Sequence, residues 1–392
     1  MRWTYGLGMG VLLSLAAAVA TAPHTGPPAQ VVAERADTWA TWFLGLLVLA
    51  FAFYVGALYL LRSGQNRVAF VCVMGALIQL ALLTGPLLVS RDAYSYWSYG
   101  RIVAHHHQNP YTVAPARFPD DPATRAVARG WRRQTSVYGP VFTFASAAVA
   151  HAANRSAELA ALLFRILAAV AGVGAMMLAA LIAKHKAYAA AFVGWNPVLA
   201  VSFAGGGHND AWMLVLMLGA LVLVARRRDA AGGALWLTAG AIKAPALVLL
   251  LLQLIRSRRG VWVGAALAAV AVSVTAVAAF GTSWLTAIWQ SNQREAGYGL
   301  PSRLEQLGIP EGMTHVLAYV ALAVGGLWLA REALRGRPRL ALGAAVLILT
   351  SPWILPWYST WPVVLAAIED DLVAQVVALG VVAYLLPDRI PL

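Results

Sequence analysis

The sequence predicts an all-α integral membrane protein with many membrane segments, and three observations carry this prediction. The chain has 392 residues, of which 60% are hydrophobic and only 11% are charged, whereas soluble domains are nearer half apolar and a quarter charged. The mean hydropathy is +0.70. The apolar segments lack the alternating pattern of a membrane β-barrel. These observations exclude an ordinary cytoplasmic enzyme, a disordered chain and a nucleic-acid-binding module.

Apolar segments separated by polar or basic stretches follow one another along the whole chain. In order they are Tyr5–Ala22, Trp39–Leu61, Val68–Val89, Val137–Ala153, Ala157–Ala183, Tyr188–Ala204, Ala211–Ala225, Gly232–Ile255, Val261–Phe280, Met313–Ala330, Leu340–Pro356, Trp357–Ile368 and Leu372–Leu386. Crossing a bilayer takes about 20 apolar residues, so we expect about 11–13 membrane segments. The first segment resembles a signal peptide, but the many spans after it favour a retained span.

The net charge of +13 is better explained by orientation in the membrane than by binding to nucleic acid. Lys and Arg cluster in short runs between apolar segments, and such runs mark the cytoplasmic side. The runs lie within residues 62–67, 184–186, 226–228, 256–259 and 331–339. We therefore expect a multi-pass protein of the plasma membrane, with the lipid bilayer as its surroundings. The segments predicted outside are 90–156, 281–312 and 351–358.

The apolar segment Gly232–Ile255 cannot be a simple span, because both of its ends are basic and both are predicted on the cytoplasmic side. Lys243, Ala244 and Pro245 interrupt it. This predicts a short re-entrant helix pair, with Lys243 near its tip and facing the outside. There a cation can hold a lipid phosphate; the alternative is a lysine that snorkels to the membrane surface. The segment Val137–Ala153 is likewise expected to lie in or dip into the outer leaflet.

A carboxylate surrounded by aromatic residues follows the third apolar segment, in the sequence SRDAYSYWSYGR at residues 90–101. A helix here has one face with Asp92, Tyr96 and Tyr99 and another with Tyr94, Ser98 and Arg101. The carboxylate of Asp92 can accept the proton of a sugar hydroxyl, and aromatic rings can pack on the C–H faces of a sugar. The alternative is that Asp92 caps an interfacial helix within an aromatic belt.

A second polar cluster, GGGHND at residues 205–210, lies between two predicted spans. The glycines do not predict a phosphate loop, because no strand precedes them and the spacing differs. Asn209 or Asp210 can begin the next helix as its cap. His208, Asn209 and Asp210 together exceed what a cap requires, and the glycines allow a ligand to approach closely. We therefore expect a site here.

Further candidates in the external segments carry weaker signals. Arg294 and Arg303 are either loop charges or phosphate contacts. The pair Trp357-Tyr358 is typical of an interfacial aromatic anchor, and Tyr138 belongs to a turn pattern. The histidines at 105–107 are adjacent and do not share a helical face, so we expect a solvated loop there rather than a metal site.

The order and spacing of these motifs carry a resemblance to a known family. The motifs are Asp92-x-Tyr94-x-Tyr96, Gly100-Arg101, Asn109-Pro110-Tyr111, Tyr138-Gly139-Pro140, Trp195-Asn196-Pro197, Gly207-His208-Asn209-Asp210, Lys243 and Trp357-Tyr358. Together they resemble the polyprenyl-phosphate-mannose-dependent mannosyltransferases of the C-type glycosyltransferase superfamily, and especially the actinobacterial α-1,6-mannosyltransferases of lipomannan assembly. The resemblance implies a C-type glycosyltransferase-like bundle with juxtamembrane helices in the first large external loop and an active site on the outer face.

The resemblance also implies an activity and roles for residues. A sugar, mannose before others, passes from a polyprenyl-phosphate donor to a hydroxyl of a glycan or glycolipid acceptor, with inversion. Asp92 matches the acidic residue that acts as general base at the start of the loop. The expected substrate-binding residues are Tyr94, Tyr96, Tyr99, Arg101, Tyr138, His208, Asn209, Asp210, Lys243, Arg294, Arg303, Trp357 and Tyr358. Lys243 is the first candidate for the leaving phosphate. We expect no cofactor and no metal, because the leaving group is a single phosphate.

The domain organisation follows the same resemblance. Residues 1–392 form one integral-membrane domain, in which 68–358 are the catalytic core, 1–67 a two-span addition and 359–392 the C-terminal spans. Two other functions stay open. One is the transfer of arabinofuranose or glucose from the same kind of donor. The other is a transporter or lipid flippase, which is less favoured because the polar groups gather at the outer face and no inverted repeat is evident.

Overall fold

The structure is a computed structural model that describes residues 2–22, 38–62, 67–290, 298–388 and 390, and all the regular secondary structure in these residues is helical. In chain order the helices are α1 (Arg2–Thr21), α2 (Thr38–Leu61), α3 (Val68–Leu83), α4 (Asp92–Ala104), α5 (Pro122–Ala126), α6 (Pro140–Ala153), α7 (Ala157–Ile182), α8 (Lys186–Gly194), α9 (Pro197–Ala200), α10 (Asp210–Ala225), α11 (Asp229–Gly240), α12 (Pro245–Leu254), α13 (Arg259–Phe280), α14 (Ser283–Gln290), α15 (Leu300–Gln306), α16 (Glu311–Leu334), α17 (Leu340–Thr350), α18 (Thr360–Ala366) and α19 (Leu372–Leu385). The predicted all-α class is confirmed.

Five of these helices, α1, α2, α7, α13 and α16, are long and apolar enough to cross a membrane. Helix α8 and the segment Pro197–Gly205 together would make one more span, bent by 51°. Six shorter apolar helices of 10–17 residues are α3, α6, α10, α12, α17 and α19. Large aliphatic side chains such as Leu267 and Val270 on α13 are exposed, as on a lipid-facing surface. The described residues therefore fit a polytopic membrane protein, and the predicted number of segments is reached only when the bent and shorter helices are counted.

Two helices stop before the end of their apolar pattern. Helix α3 ends at Leu83, ahead of Pro86, and residues 84–91 form a non-helical strap that leads to α4. A proline removes a backbone donor and clashes with the preceding turn, which ends helices. Helix α17 ends at Thr350 for the same reason, because Pro352 follows.

Helix α6 is shorter than its apolar pattern and begins only at Pro140. Its 14 residues reach about 21 Å at the helical rise. That length falls short of the roughly 30 Å of a hydrocarbon core. The structure thus agrees with the expectation that Val137–Ala153 does not span fully.

The chain breaks at Lys243, where the sequence predicted a break. Helix α11 ends at Gly240 and α12 begins at Pro245. The Trp236 Nε1–H donates to the Ala246 carbonyl at 2.9 Å, although ten residues of a continuous helix span about 15 Å. The chain therefore turns back on itself between α11 and α12. Helix α10 lies beside α7 and α11, and α11 lies along α13.

Candidate active site at one end of the bundle

Five parts of the chain meet at one end of the bundle. They are the start of α4, the turn before α6 that carries Tyr138, the start of α10, the break between α11 and α12, and the 3-10 turn Pro356–Ser359. The residues that they bring together were predicted from separate motifs and are Asp92, Tyr96, Tyr138, His208, Asn209, Asp210, Lys243, Trp357 and Tyr358. Most of the predicted site residues thus lie in one place.

Asp92 is the first residue of α4, and its carboxylate faces the start of α10. Its backbone N–H donates to Ser90 Oγ at 3.0 Å, and Arg91 holds the cap position without a capping side chain. The Asp92 side chain is 20% exposed, and its Oδ2 lies 3.5 Å from His208 Nδ1. The positive end of the helix dipole stabilises an anion at this position. Asp92 is therefore a partly solvated carboxylate within the helix rather than its cap.

His208 is completely buried, and its ring lies between Trp357 and Gly206. Its ring stacks on Trp357 at 3.9 Å between centroids, and a Cβ added to Gly206 would lie 2.7 Å from the ring. Burial, and then the charge of Lys243, lower the pKa of His208 well below its ordinary value, so the ring is neutral. Within the described residues neither ring nitrogen makes a hydrogen bond. A neutral imidazole held this way can form a hydrogen bond with a ligand hydroxyl or with the Asp92 carboxylate.

Asp210 and Lys243 form a buried ion pair. Lys243 Nζ lies 2.8 Å from both carboxylate oxygens of Asp210, whose side chain is fully buried. The Trp361 Nε1–H also donates to Asp210 Oδ1. The ammonium lies over the Tyr358 ring, 4.6 Å from its centroid, a favourable cation–π geometry. The Asp210 carboxylate thus has its partners within the protein.

Neutral phenols surround the Asp92 carboxylate. The Tyr96 hydroxyl lies 3.5 Å from Asn209 Oδ1, the acceptor of its hydrogen bond, and the rings of Tyr96 and Tyr138 meet edge to face at 4.9 Å. Burial, and then the nearby charge of Asp92, raise the pKa of both phenols. Asn209 Nδ2 is buried and has no partner within the described residues. The Asn209 side chain does not cap α10, which leaves its amide group for a ligand.

The turn that carries Tyr138 binds directly to the break in the α11–α12 pair. The Gly139 N–H donates to the Ile242 carbonyl at 3.1 Å, and the Val141 N–H donates to the Ala241 carbonyl at 3.2 Å. A Cβ on Gly139 would lie only 2.0 Å from the Ala241 oxygen. From sequence this turn was only a chain reversal, and its role in positioning the break was missed.

Arg101 is not part of this cluster. Its Nε donates to both carboxylate oxygens of Asp121 at 2.9 Å, and its Nη1 donates to the Asn154 carbonyl. His106 Nε2 lies 2.7 Å from Asp121 Oδ2, and its ring stacks on Phe118. Arg101 therefore holds the external loop together, and His106, one of the three adjacent histidines, joins it there.

The remaining predicted residues lie at the edge of the cluster or beyond it. The Tyr99 hydroxyl donates to the carbonyls of residues 134 and 135, and its ring is 6.2 Å from that of Tyr138. Tyr94 faces α7, where it interacts with Glu158 and Arg165. Arg303 donates to Tyr384 and Gln306 on an exposed surface. Arg294 lies outside the residues that the structure describes.

Two buried residues near the site escaped the sequence reasoning. Trp361, which holds Asp210, lies in an apolar stretch and gives no pattern of its own. Arg165 is only 5% exposed inside α7, and a lone charge in an apolar span is a signal that sequence reading can use.

Comparison with known proteins gives a family. Residues 4–259 match the family model described as "Alpha-(1->6)-mannopyranosyltransferase, N-terminal domain". The chain is 30% identical to "Alpha-(1->6)-mannopyranosyltransferase A" of Mycobacterium tuberculosis over 334 residues, which are 73% of this chain and 62% of that protein. It is 32% identical to "Alpha-(1->6)-mannopyranosyltransferase B" of Corynebacterium glutamicum over 187 residues, 45% of this chain and 31% of that protein.

The chain thus spans less than two thirds of the length of these relatives. No solved structure matches it. The family match begins at residue 4 and so includes α1 and α2. Because the family model covers more than half of the chain, the resemblance seen in the motifs is confirmed, and the chain belongs to the alpha-(1->6)-mannopyranosyltransferase family.

Proposed function

We propose that the protein transfers mannose from a polyprenyl-phosphate donor to a hydroxyl of a glycan or glycolipid acceptor, forming an α-1,6 bond with inversion. The observation that carries the proposal is the contrast between the two carboxylates of the site. Asp92 is partly exposed beside a neutral histidine, whereas Asp210 is fully buried and held by Lys243 and Trp361. Only the first of these carboxylates is placed to take a proton from a substrate.

Asp92 acts as the general base in this mechanism. The acceptor hydroxyl gives its proton to the Asp92 carboxylate while its oxygen forms a bond to the anomeric carbon. The bond between that carbon and the phosphate oxygen breaks on the opposite face, and the phosphate leaves with the electron pair. A β-linked donor then gives an α product. His208 Nδ1, 3.5 Å from the carboxylate, orients Asp92 toward the acceptor.

Lys243 stabilises the leaving phosphate. Two of its N–H bonds point at Asp210, and an ammonium carries three donors, so one remains for a phosphate oxygen. Asp210 and Trp361 hold this donor in place before the reaction, and such preorganised charge is often the largest catalytic term. Asp210 thereby positions Lys243 instead of binding a sugar hydroxyl itself.

The aromatic residues and Asn209 form the sugar-binding surface. Neutral phenols at Tyr96 and Tyr138 can donate hydrogen bonds to hydroxyls, and the half-buried ring of Tyr358 can pack on a sugar C–H face. The unpartnered Nδ2 of Asn209 supplies a further donor. These groups suit a neutral hexose between a base and a cation.

The charge distribution supports a site on the outer side of the plasma membrane. Helix α10 begins at the site with Asp210 and ends at Ala225, directly before the basic run 226–228. Helix α12 begins beside Lys243 and ends just before the run 256–259. Basic runs mark the cytoplasmic side, so the opposite ends of these helices face outward.

The test is a transfer assay with the purified protein in detergent. Polyprenyl-phosphate mannose, glucose and arabinofuranose are offered with oligomannoside acceptors, and the linkage of the product is determined by NMR. We expect an α-1,6-mannosyl product. Detergent abolishes any transmembrane gradient, so product formation also separates a transferase from a transporter. Product from another sugar alone, or no product, would refute the proposed reaction.

Asp92→Asn tests the base. We expect transfer to slow by about 10²–10⁴-fold with donor binding retained, because loss of a general base has that effect. The matched control is Asp120→Asn, an acid of the same external loop whose side chain is 98% exposed. The control should transfer at the normal rate. Near-normal turnover of Asp92→Asn would remove Asp92 from this role.

A further inference from the structure

Arg165 joins two separate segments of backbone inside the bundle. It lies in α7 and is 5% exposed. Its Nε donates to the Ala204 carbonyl at 2.7 Å, Nη1 to the Gly85 carbonyl at 2.8 Å and Nη2 to the Leu82 carbonyl at 2.6 Å. Leu82 and Ala204 lie in the last turns of helical segments, where carbonyls carry the negative end of the helix dipole. The Arg165 guanidinium thus donates hydrogen bonds to main-chain carbonyls of two separate segments.

The two segments lead directly to the two residues that meet at the site. Leu82 lies in the last turn of α3, and Gly85 lies in the strap of residues 84–91, which continues into Asp92 at the start of α4. Ala204 lies in the π-helical turn Val201–Gly205, and we call residues 204–208 the glycine segment, which ends at His208. Arg165 is therefore hydrogen-bonded to the chain just before each member of the Asp92–His208 contact.

Further contacts fix the strap against the glycine segment. The Leu88 N–H donates to the Gly205 carbonyl at 2.9 Å. Gly207 has a φ of +70° and lies so close to α7 that an added Cβ would be 3.2 Å from the backbone nitrogen of Arg165. Val89 has a φ of +55°, a left-handed conformation that is strongly unfavourable for a β-branched residue. Such strain persists only where the surroundings hold the backbone in place.

We propose that Arg165 is a positioning residue for sugar transfer. Its guanidinium fork holds the strap and the glycine segment together, keeps Val89 in its strained conformation, and so sets Asp92 beside His208. This inference rests on the proposed function of Asp92 as base. Arg165 itself has no contact with the reacting groups, so its effect is on geometry. The planar fork is essential, because a single ammonium cannot reach the same three carbonyls in the same arrangement.

The variants Arg165→Gln and Arg165→Lys test this, with Tyr54→Phe as control. The Tyr54 hydroxyl is also buried in the bundle; it donates to the Phe192 carbonyl at 2.7 Å and accepts from Asn196 Nδ2 at 3.3 Å. The control therefore removes buried hydrogen bonds that involve neither the strap nor the glycine segment. Amide hydrogen exchange reports local opening. We expect faster exchange in residues 84–92 and 204–208 for both Arg165 variants, and unchanged exchange there for Tyr54→Phe.

The kinetic arm separates positioning from general loss of stability. For Arg165→Gln, kcat should fall about 100-fold while the KM for the donor stays within about twofold, because small misplacements of a catalytic group act on the chemical step. The kcat of Arg165→Lys should lie between that of Arg165→Gln and that of the wild type. Tyr54→Phe should keep its kcat. An unchanged kcat for Arg165→Gln, or full activity of Arg165→Lys, would overturn the proposal.

A double variant tests the strain at Val89. Without Arg165, a strained Val89 drives the strap out of place, whereas a glycine has no such preference. Val89→Gly should therefore raise the kcat of Arg165→Gln by about tenfold, and it should have no such effect on Tyr54→Phe. Equal effects in both backgrounds would refute the coupling. If the wild type transfers no sugar, the proposed function fails, and the exchange measurements alone then decide whether Arg165 fixes the two segments.

Discussion

The two ends of the bundle use their charges in different ways. At the site end, Lys243 and Asp210 are 14% and 0% exposed and lie 2.8 Å apart. We call the other end, which carries basic runs such as 184–186 and 331–339, the basic end. There Lys184 and Asp370 form a pair at 3.2 Å with side chains that are 72% and 66% exposed. Water screens the second pair but not the first. Burial, rather than the number of ion pairs, therefore distinguishes the charges that the fold depends on from those on its exposed surface.

The hydrogen bonding of the two ends also differs. At the basic end, Asp371 caps α19 by accepting from the N–H groups of Val373 and Ala374. At the site end, both ring nitrogens of His208 and Nδ2 of Asn209 are buried without a partner in the described residues. Buried polar groups without partners are costly. Glu369 Oε2 and Arg67 Nη1 at the basic end are also buried without a partner in the described residues. At the site end, however, three such atoms lie on two adjacent neutral side chains, as expected where a ligand supplies the missing partners.

Replacing Asp210 should give the largest difference in stability between the two ends. Asp210→Ala leaves the Lys243 ammonium buried without its partner, which typically costs about 3–5 kcal/mol in the free energy of unfolding. Asp370→Ala at the basic end should cost less than about 1 kcal/mol. Denaturant unfolding in mixed micelles, followed by tryptophan fluorescence, measures both. Equal losses would mean that burial of the pair has no such effect.

Gly139→Ala should have an intermediate effect, by separating the turn from the break at Lys243. The added Cβ would lie 2.0 Å from the Ala241 carbonyl oxygen, so backbone must move, and overpacking of this kind costs about 1–3 kcal/mol. We also expect a raised KM for the donor, since Lys243 shifts with the break. Gly130→Ala in the same external loop, where nothing lies within 4 Å of the added Cβ, is the control. Equal losses of stability and equal donor KM values for the two variants would contradict the proposed contact.

The smallest expected effect is a pH dependence in the external loop. Burial by itself raises the pKa of Asp121, but hydrogen bonds from His106, the Ala123 N–H and Arg101 outweigh it and hold the pKa below its ordinary value. A group with a lowered pKa in the folded state contributes stability above its unfolded pKa, and this is lost as the pH falls through the folded value. The Tm should therefore decrease as the pH drops below about 4.

Asp121→Asn is the comparison for this acid dependence. Since asparagine does not titrate, the variant should show a smaller decrease in Tm between pH 5 and pH 3, even if its Tm is lower throughout. Asp120→Asn, next to it and exposed, should behave as the wild type does. The same slope in Asp121→Asn and wild type would show that other acids cause the decrease.

Much of the site could be predicted from sequence because its residues are polar groups at the ends of apolar segments. Charges are rare in this chain, so Asp92 and the 208–210 cluster stand out against their surroundings. The break at Lys243 followed from basic runs at both ends of one apolar segment. In each case the signal is local, and local patterns are what a single sequence displays.

The contacts that were missed join distant parts of the chain. Asp210 and Trp361 are 151 residues apart, and Arg165 is 83 residues from Leu82. Main-chain carbonyls accept the hydrogen bonds of Arg165, and any sequence supplies carbonyls. The partner of Arg101 could not be predicted either, because Asp121 lies 20 residues away in a loop without a periodic pattern. Side-chain patterns on one helix cannot reveal such partners.

The pair of Asp210 and Lys243 also bears on how the protein enters the bilayer during synthesis. The two residues are 33 positions apart; Asp210 begins α10, and Lys243 follows the end of α11. An unpaired Asp or Lys raises the free energy of inserting its helix alone, by up to about 2.5–3.5 kcal/mol at the centre of a span. Together they form a neutral unit. We therefore expect α10, α11 and α12 to leave the translocation machinery as one folded group rather than one helix at a time.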